Sequence, residues 1–389
     1  MPTSPLPGVH RPLSRRTFIC RAAGALALMS LPFRPRPAPA QEVRYGFIKP
    51  HPAAYWQGLP GGLVECGLCP RRCQVLPGER GNCGVRENRE GKFFTLVYGN
   101  PTAVHLDPVE KKPFFHVLPG SASYSIATTG CNLHCKFCQN WEISQARPET
   151  TYNFDLSPEK VVAAARETGC ASIAYTYVEP IIFFEYMTAI GALAKKAGIL
   201  STCHSAGSIN PEPLEPLAGV LDAACVDLKS FDPKFYRDLV GGELEPVLNT
   251  LKTLRRRGVH LEIVNLVIPQ LNDDPATLAG MCAWINQELG PLTPLHFSRF
   301  YPLYKMQNHY PTPVSTLEKA REIAVKAGLK YVYLGNIPGH QAENTYCHNC
   351  GKLAIARTGY SIGEMKLKNG SCGSCGVKIP GIWQKPRAA

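Results

Sequence analysis

Eleven of the sixteen cysteines fall into three tight groups, and any fold for this chain must bring each group together. The groups are Cys66-x2-Cys69-x3-Cys73-x9-Cys83, Cys131-x3-Cys135-x2-Cys138 and Cys347-x2-Cys350-x21-Cys372-x2-Cys375. Spacings of two and three residues suit thiolates that share a metal centre. A disulfide scaffold would be shorter and loop-rich, whereas 389 residues with 44% hydrophobic composition bury a sizeable core. Cys20, Cys170, Cys203, Cys225 and Cys282 are scattered and read as non-ligands, Cys203 being the one at a strand end.

Residues 1–41 have the layout of a twin-arginine export signal. Arg15-Arg16-Thr17-Phe18 precedes an apolar stretch, Ala22–Leu31, and small residues follow at Ala38-Pro39-Ala40. That stretch is too short to span a bilayer. Residues 42–120 carry the first cysteine group, with Pro and Gly punctuation that disfavours long helices. From residue 121 to 340 strands and helices alternate. Ser123–Thr128, Ala171–Tyr177, Ile199–His204, Asp222–Leu228, His260–Ile268, Leu295–Phe300 and Lys330–Leu334 read as strands. Helix starts are signalled at Ser157-Pro158, at Asp232-Pro233, at Asp274-Pro275 and by a capping box, Ser315 to Glu318. Six or seven βα units predict an α/β fold, a parallel sheet with helices outside, rolled into a full or partial barrel. Residues 341–389 form a cysteine-rich tail.

The tail's two Cys-x2-Cys pairs, each followed by glycine at Gly351 and Gly376, predict a four-thiolate zinc ribbon with a structural or partner-docking role. The first group has four thiolates that suit zinc or an auxiliary iron–sulfur cluster, and spacing does not separate the two. The central group offers only three thiolates, in a loop after the first strand, where barrel folds place their active sites. Three thiolates hold three irons of a cubane and leave the fourth open to a small molecule. A three-cysteine zinc site or buried free thiols would use the same spacing.

Cys131-Asn-Leu-His-Cys135-Lys-Phe137-Cys138 resembles the radical SAM signature. The stretch Thr128–Gln145, with Asp107–Pro113, Val226–Lys229, Leu266–Pro269, Tyr331–Asn336 and Ile379–Trp383, resembles the AmmeMemoRadiSam-system radical SAM proteins, relatives of pyruvate formate-lyase activating enzyme. The resemblance implies a partial (β/α)6 TIM-type barrel in which Cys131, Cys135 and Cys138 ligate a 4Fe–4S cluster, with Phe137 beside it. It also implies S-adenosylmethionine contacts from Glu179, Asp227 and Lys229. Read from the residues alone, Glu179 before Pro180 also suits a helix cap, and Asp227 with Lys229 a structural ion pair. This chain departs from the family at Val178, Ala206 and Tyr301, where Asn, Asn and His are usual. His204 and Arg299 beside those positions are candidates to face the substrate.

The expected activity is reductive cleavage of S-adenosylmethionine, with a deoxyadenosyl radical abstracting hydrogen from a substrate, a glycyl-radical protein being one candidate. The alternatives are an iron–sulfur electron carrier and a divergent paralogue that uses S-adenosylmethionine without hydrogen abstraction. An electron donor such as ferredoxin or flavodoxin is implied. No nucleic acid is expected: the net charge is +12, but six arginines of the excess sit in residues 1–40. The leader points to the periplasm, whereas thiolate and S-adenosylmethionine chemistry points to cytoplasmic activity.

Overall fold

The computed structural model describes residues 42–385, so the twin-arginine-like segment and Cys20 lie outside the described residues. One eight-stranded sheet organises them. Its strands are β1 (Ala103–Pro108), β2 (Ala122–Ala127), β3 (Ser172–Tyr175), β4 (Leu200–Ser205), β5 (Ala223–Asp227), β6 (His260–Val267), β7 (Leu295–Arg299) and β8 (Val332–Gly335). They lie in chain order across the sheet, β1 antiparallel to β2 and every later pair parallel. Successive parallel strands are joined through α1 (Pro158–Glu167), α2 (Phe184–Lys196), α3 (Pro211–Ala218), α4 (Leu244–Arg256), α5 (Pro275–Leu289) and α6 (Val314–Lys326). Right-handed crossovers repeated in one direction keep the helices on one face and bring the strands' C-terminal ends to one edge. All of β3 is buried, as is β5 up to its last residue, as expected of parallel strands covered on both faces.

Local chemistry sets the helix starts. The Ser157 hydroxyl accepts from the Lys160 N–H at 3.4 Å, with Pro158 at the first helical position. The Asp274 carboxylate accepts from the Thr277 N–H at 2.8 Å ahead of Pro275. The capping box expected at Ser315 does not form. Helix α6 begins one residue earlier, after Pro313, which puts Ser315 and Glu318 inside the helix, and the Glu318 carboxylate meets His340 instead.

Within β6, the fully buried Glu262 accepts from the Phe115 N–H at 3.0 Å, the His116 N–H at 2.8 Å and His296 Nε2 of β7 at 2.7 Å. Burial alone would raise its pKa, but hydrogen bonds from His260 and His296 carry it well below the usual carboxylate range. The segment following β1 is thereby fixed against the strands, and the C-terminal part is fastened to that segment. Arg357 donates to the Phe115 carbonyl at 2.7 Å and lies 4.3 Å over its ring. Leu118 and His116 exchange backbone bonds with Ile382 at 2.7 Å. The C-terminal part is itself a three-stranded antiparallel sheet, Thr345–Tyr346, Leu353–Thr358 and Ser361–Met365. Short antiparallel strands, without an α-helix, make up residues 42–100.

Candidate active site and metal centres

At the C-terminal ends of the parallel strands lies a cavity of about 590 Å³. Every parallel strand contributes to its wall: Thr176 follows β3, His204 lies in β4, Asp227 in β5, Leu266 in β6, Ser298 in β7 and Gly335 in β8. The loop after β2 contributes Cys131, Cys135 and Cys138. Backbone bonds from His134 and Lys136 to the Val240 and Leu239 carbonyls, each 2.9 Å, pin that loop. Gly130 opens it with φ +98, and a Cβ there would stand 2.6 Å from the Cys83 carbonyl oxygen. No other residue fits that approach. Burial pushes the Cys135 thiol up to about 11, against the pull of Lys229, and raises that of Cys131 further. Buried thiols of this kind ionise when a metal takes the proton's place.

Phe137 is buried against Phe235, and the Lys229 ammonium lies 5.8 Å above its ring centroid. Asp227 holds two partners, Lys229 Nζ at 2.9 Å and His204 Nε2 at 2.8 Å. Burial would raise the Asp227 carboxyl; Lys229 and then His204 hold it well below its usual range. Glu179 caps the turn Pro180–Phe183, its Oε1 accepting from the Ile181 N–H at 3.2 Å. The same carboxylate accepts from the Ser205 hydroxyl at 2.6 Å and the Ala206 N–H at 2.7 Å. Burial raises its pKa, and those donors oppose the rise. Glu179 is thus a cap that also faces the cavity.

His204, Val178 and Ala206 line the cavity, whereas Arg299 and Tyr301 do not. Arg299 is spent on the Thr312 carbonyl, at 2.8 Å, and on the Tyr301 ring, so its expected role toward substrate is not supported. Cys203 is buried in the core and away from the cavity wall. Sequence reasoning missed Asn140, whose amide holds the Tyr177 carbonyl at 2.7 Å, although it lies two residues beyond Cys138. It also missed Glu343 and Tyr360, which reach the cavity from the C-terminal part.

The three cysteine groups differ in geometry. The Cys347, Cys350, Cys372 and Cys375 sulfurs all lie within 4.8 Å of one another. Cys347 and Cys375 are 3.6 Å apart and Cys350 and Cys372 3.8 Å. Four sulfurs about 2.3 Å from one tetrahedral zinc stand about 3.8 Å apart. Gly351 and Gly376 take positive φ and donate back to the Cys347 and Cys372 carbonyls, closing both knuckles. Among the described residues no other such group of three or more has all its ligand atoms within 4.8 Å. Neither the Cys131 loop nor the Cys66, Cys69, Cys73 and Cys83 set brings three sulfurs together that closely.

A model of the Radical SAM superfamily matches residues 125–280. Over 329 residues the chain is 41% identical to uncharacterized protein MJ0808 of Methanocaldococcus jannaschii, covering 84% of this chain and 98% of that protein. It is 25% identical over 195 residues to the pyruvate formate-lyase-activating enzyme of Listeria monocytogenes, 47% of this chain and 78% of that enzyme. Among solved structures, Streptococcus suis SuiB bound to S-adenosylmethionine aligns with a TM-score of 0.44 at 12% identity, over 62% of this chain and 56% of that one.

Proposed function

This chain is a radical SAM enzyme and belongs to one family with the Methanocaldococcus protein, and on that premise we propose that it abstracts hydrogen from a polypeptide substrate. The activating enzymes among its relatives support the choice of a polypeptide, a glycyl-radical protein being the candidate. The observation that carries the reading is the cavity, which three thiols of one loop share with residues at the C-terminal ends of the parallel strands. Strands that all reach one cavity must curl around it, which supports a partial (β/α)6 barrel, open between β1 and β8.

Cys131, Cys135 and Cys138 fit a 4Fe–4S cluster: they are soft ligands of one loop and do not gather as closely as the C-terminal four. When bound, such a cluster would supply the electron for reductive cleavage of S-adenosylmethionine. The chain's own residues do the rest. Lys229 sets a cation beside the thiolates, and Asp227 fixes its direction. Glu179 keeps lone pairs for an ammonium beyond those its three donors use.

The Asp107–Pro113 and Thr128–Gln145 motifs support a place in the AmmeMemoRadiSam branch. The C-terminal four-cysteine site is assigned zinc, and residues 42–120 and 341–389 are read as attachments to a barrel spanning 121–340. A ferredoxin- or flavodoxin-type donor supplies the electron. Cytoplasmic activity follows from where that donor and S-adenosylmethionine are found.

The test is anaerobic reconstitution with iron and sulfide, reduction, addition of S-adenosylmethionine and assay of 5′-deoxyadenosine. Product from the wild type and none from Cys135→Ala supports the reading. A reconstituted wild type that binds S-adenosylmethionine without cleaving it, with every candidate donor, refutes it.

A further inference from the structure

Cys66, Cys69, Cys73 and Cys83 have no assigned role. Cys66 ends the strand Val64–Cys66, Cys69 and Cys73 lie in the loop that follows it, and Cys83 comes from a separate loop. Together they line a small cavity of about 20 Å³, with Ile181 and Ile182 also in its wall. A cavity lined by four thiols from two loops is a built site. Packing would otherwise fill it with apolar side chains.

The spread of the sulfurs decides what the site holds. Four ligands on one zinc must gather to about 3.8 Å, as the C-terminal four do. No three of the Cys66, Cys69, Cys73 and Cys83 sulfurs lie mutually within 4.8 Å. In that respect they match the Cys131 loop, for which a cluster with one thiolate on each of three irons is proposed above. Ile181 and Ile182 give the cavity an apolar wall, which suits a cluster that carries bridging sulfides of its own.

We infer that Cys66, Cys69, Cys73 and Cys83 bind a second 4Fe–4S cluster, next to the Cys131 loop, rather than a zinc ion. The two sites share a wall. The Cys83 carbonyl is the atom that excludes a side chain at Gly130, immediately before Cys131. Arg71, between Cys69 and Cys73, donates to the Asn132 carbonyl at 2.5 Å. Cys83 and Cys131 also line a common polar cleft, of about 590 Å³. A cluster here is therefore placed to accept an electron from a one-electron donor at the surface and to pass it to the neighbouring site, the donor being oxidised by one electron for each one delivered.

The test uses the full chain with Cys131, Cys135 and Cys138 all changed to Ala, so that it does not depend on the proposed activity. After anaerobic reconstitution with iron and sulfide, this variant should retain about four irons and four sulfides per chain. On reduction it should give the paramagnetic signal of a single cluster. Adding Cys69→Ser should keep the fold, judged by retained zinc at the C-terminal site and an unchanged circular dichroism spectrum, while shifting or abolishing that signal. Two zinc ions per chain with no iron or sulfide in the triple variant would overturn the inference. A paramagnetic signal unaltered by Cys69→Ser would overturn it as well. Should the wild type fail to cleave S-adenosylmethionine while the triple variant holds its cluster, the activity reading falls and this inference stands.

Discussion

Arg71 donates through Nε to the backbone carbonyl of Asn132 at 2.5 Å, and its second guanidinium arm reaches the Gly241 carbonyl. One side chain thus ties the loop of the first cysteine group to the loop of the central one. Arg71→Met keeps most of the stem and removes both bonds. It should cost about 2 kcal/mol of stability, the range of hydrogen bonds to a charged group. It should also leave the Cys131 site underloaded with iron. Urea unfolding and iron analysis of the reconstituted variant check this; full iron content at wild-type stability would contradict it.

Asp227→Asn leaves the half-buried Lys229 without its counter-ion, at a cost of about 2 kcal/mol. The pH dependence has a definite sign. The Asp227 carboxyl is held below its usual range, and such a group lends stability in full above its unfolded pKa of about 4. That stability is lost as pH falls toward the folded value. The gap between wild type and variant should hold steady from about pH 7 to pH 5 and narrow below about pH 4. A gap that widens on acidification would show that the pair is not what stabilises this end of β5.

Zinc removal should expose one thiol before the others. The Val377 N–H and the Asn349 amide hold the Cys375 thiol down at about 6, and Cys375 is exposed. In chelator-treated protein at neutral pH, iodoacetamide should label Cys375 about two- to threefold faster than an ordinary surface thiol, and zinc should protect it. Peptide mapping reads the order of labelling. Equal labelling of all four cysteines would count against the assignment.

How much of this was legible beforehand depended on how local the cause was. The strands were readable because parallel strands buried on both faces are continuous apolar runs, as at Ala223–Asp227. Helix starts at Ser157 and Asp274 were readable because cap and proline are adjacent. Helix α3 was not: Pro211, Pro213 and Pro216 signal a break, yet the first two fall in a first turn whose N–H groups need no partner, and Leu214 and Leu217 anchor the rest. The cysteines of the site could be found from spacing alone. The distance between sulfurs, which separates a single ion from a cluster, is set by loops far apart in sequence, and so is the approach of Tyr360 to the cavity.

Tyr360 is 51% exposed and lines the cavity from the C-terminal part. Tyr360→Ala should change stability by no more than about 0.5 kcal/mol. Formation of 5′-deoxyadenosine without substrate should be unchanged, and turnover of the polypeptide should fall. Equal loss of both activities would place the residue in the cosubstrate's site instead.

Glu343 and Tyr360 come late in the chain, yet they wall the same cavity as Cys131. A ribosome delivers them on the order of ten seconds after the thiols. During that interval the loop stands open to whatever iron carrier can reach it. Loading a growing chain and loading a finished one are then different tasks, since only the finished chain has Glu343 and Tyr360 in the wall.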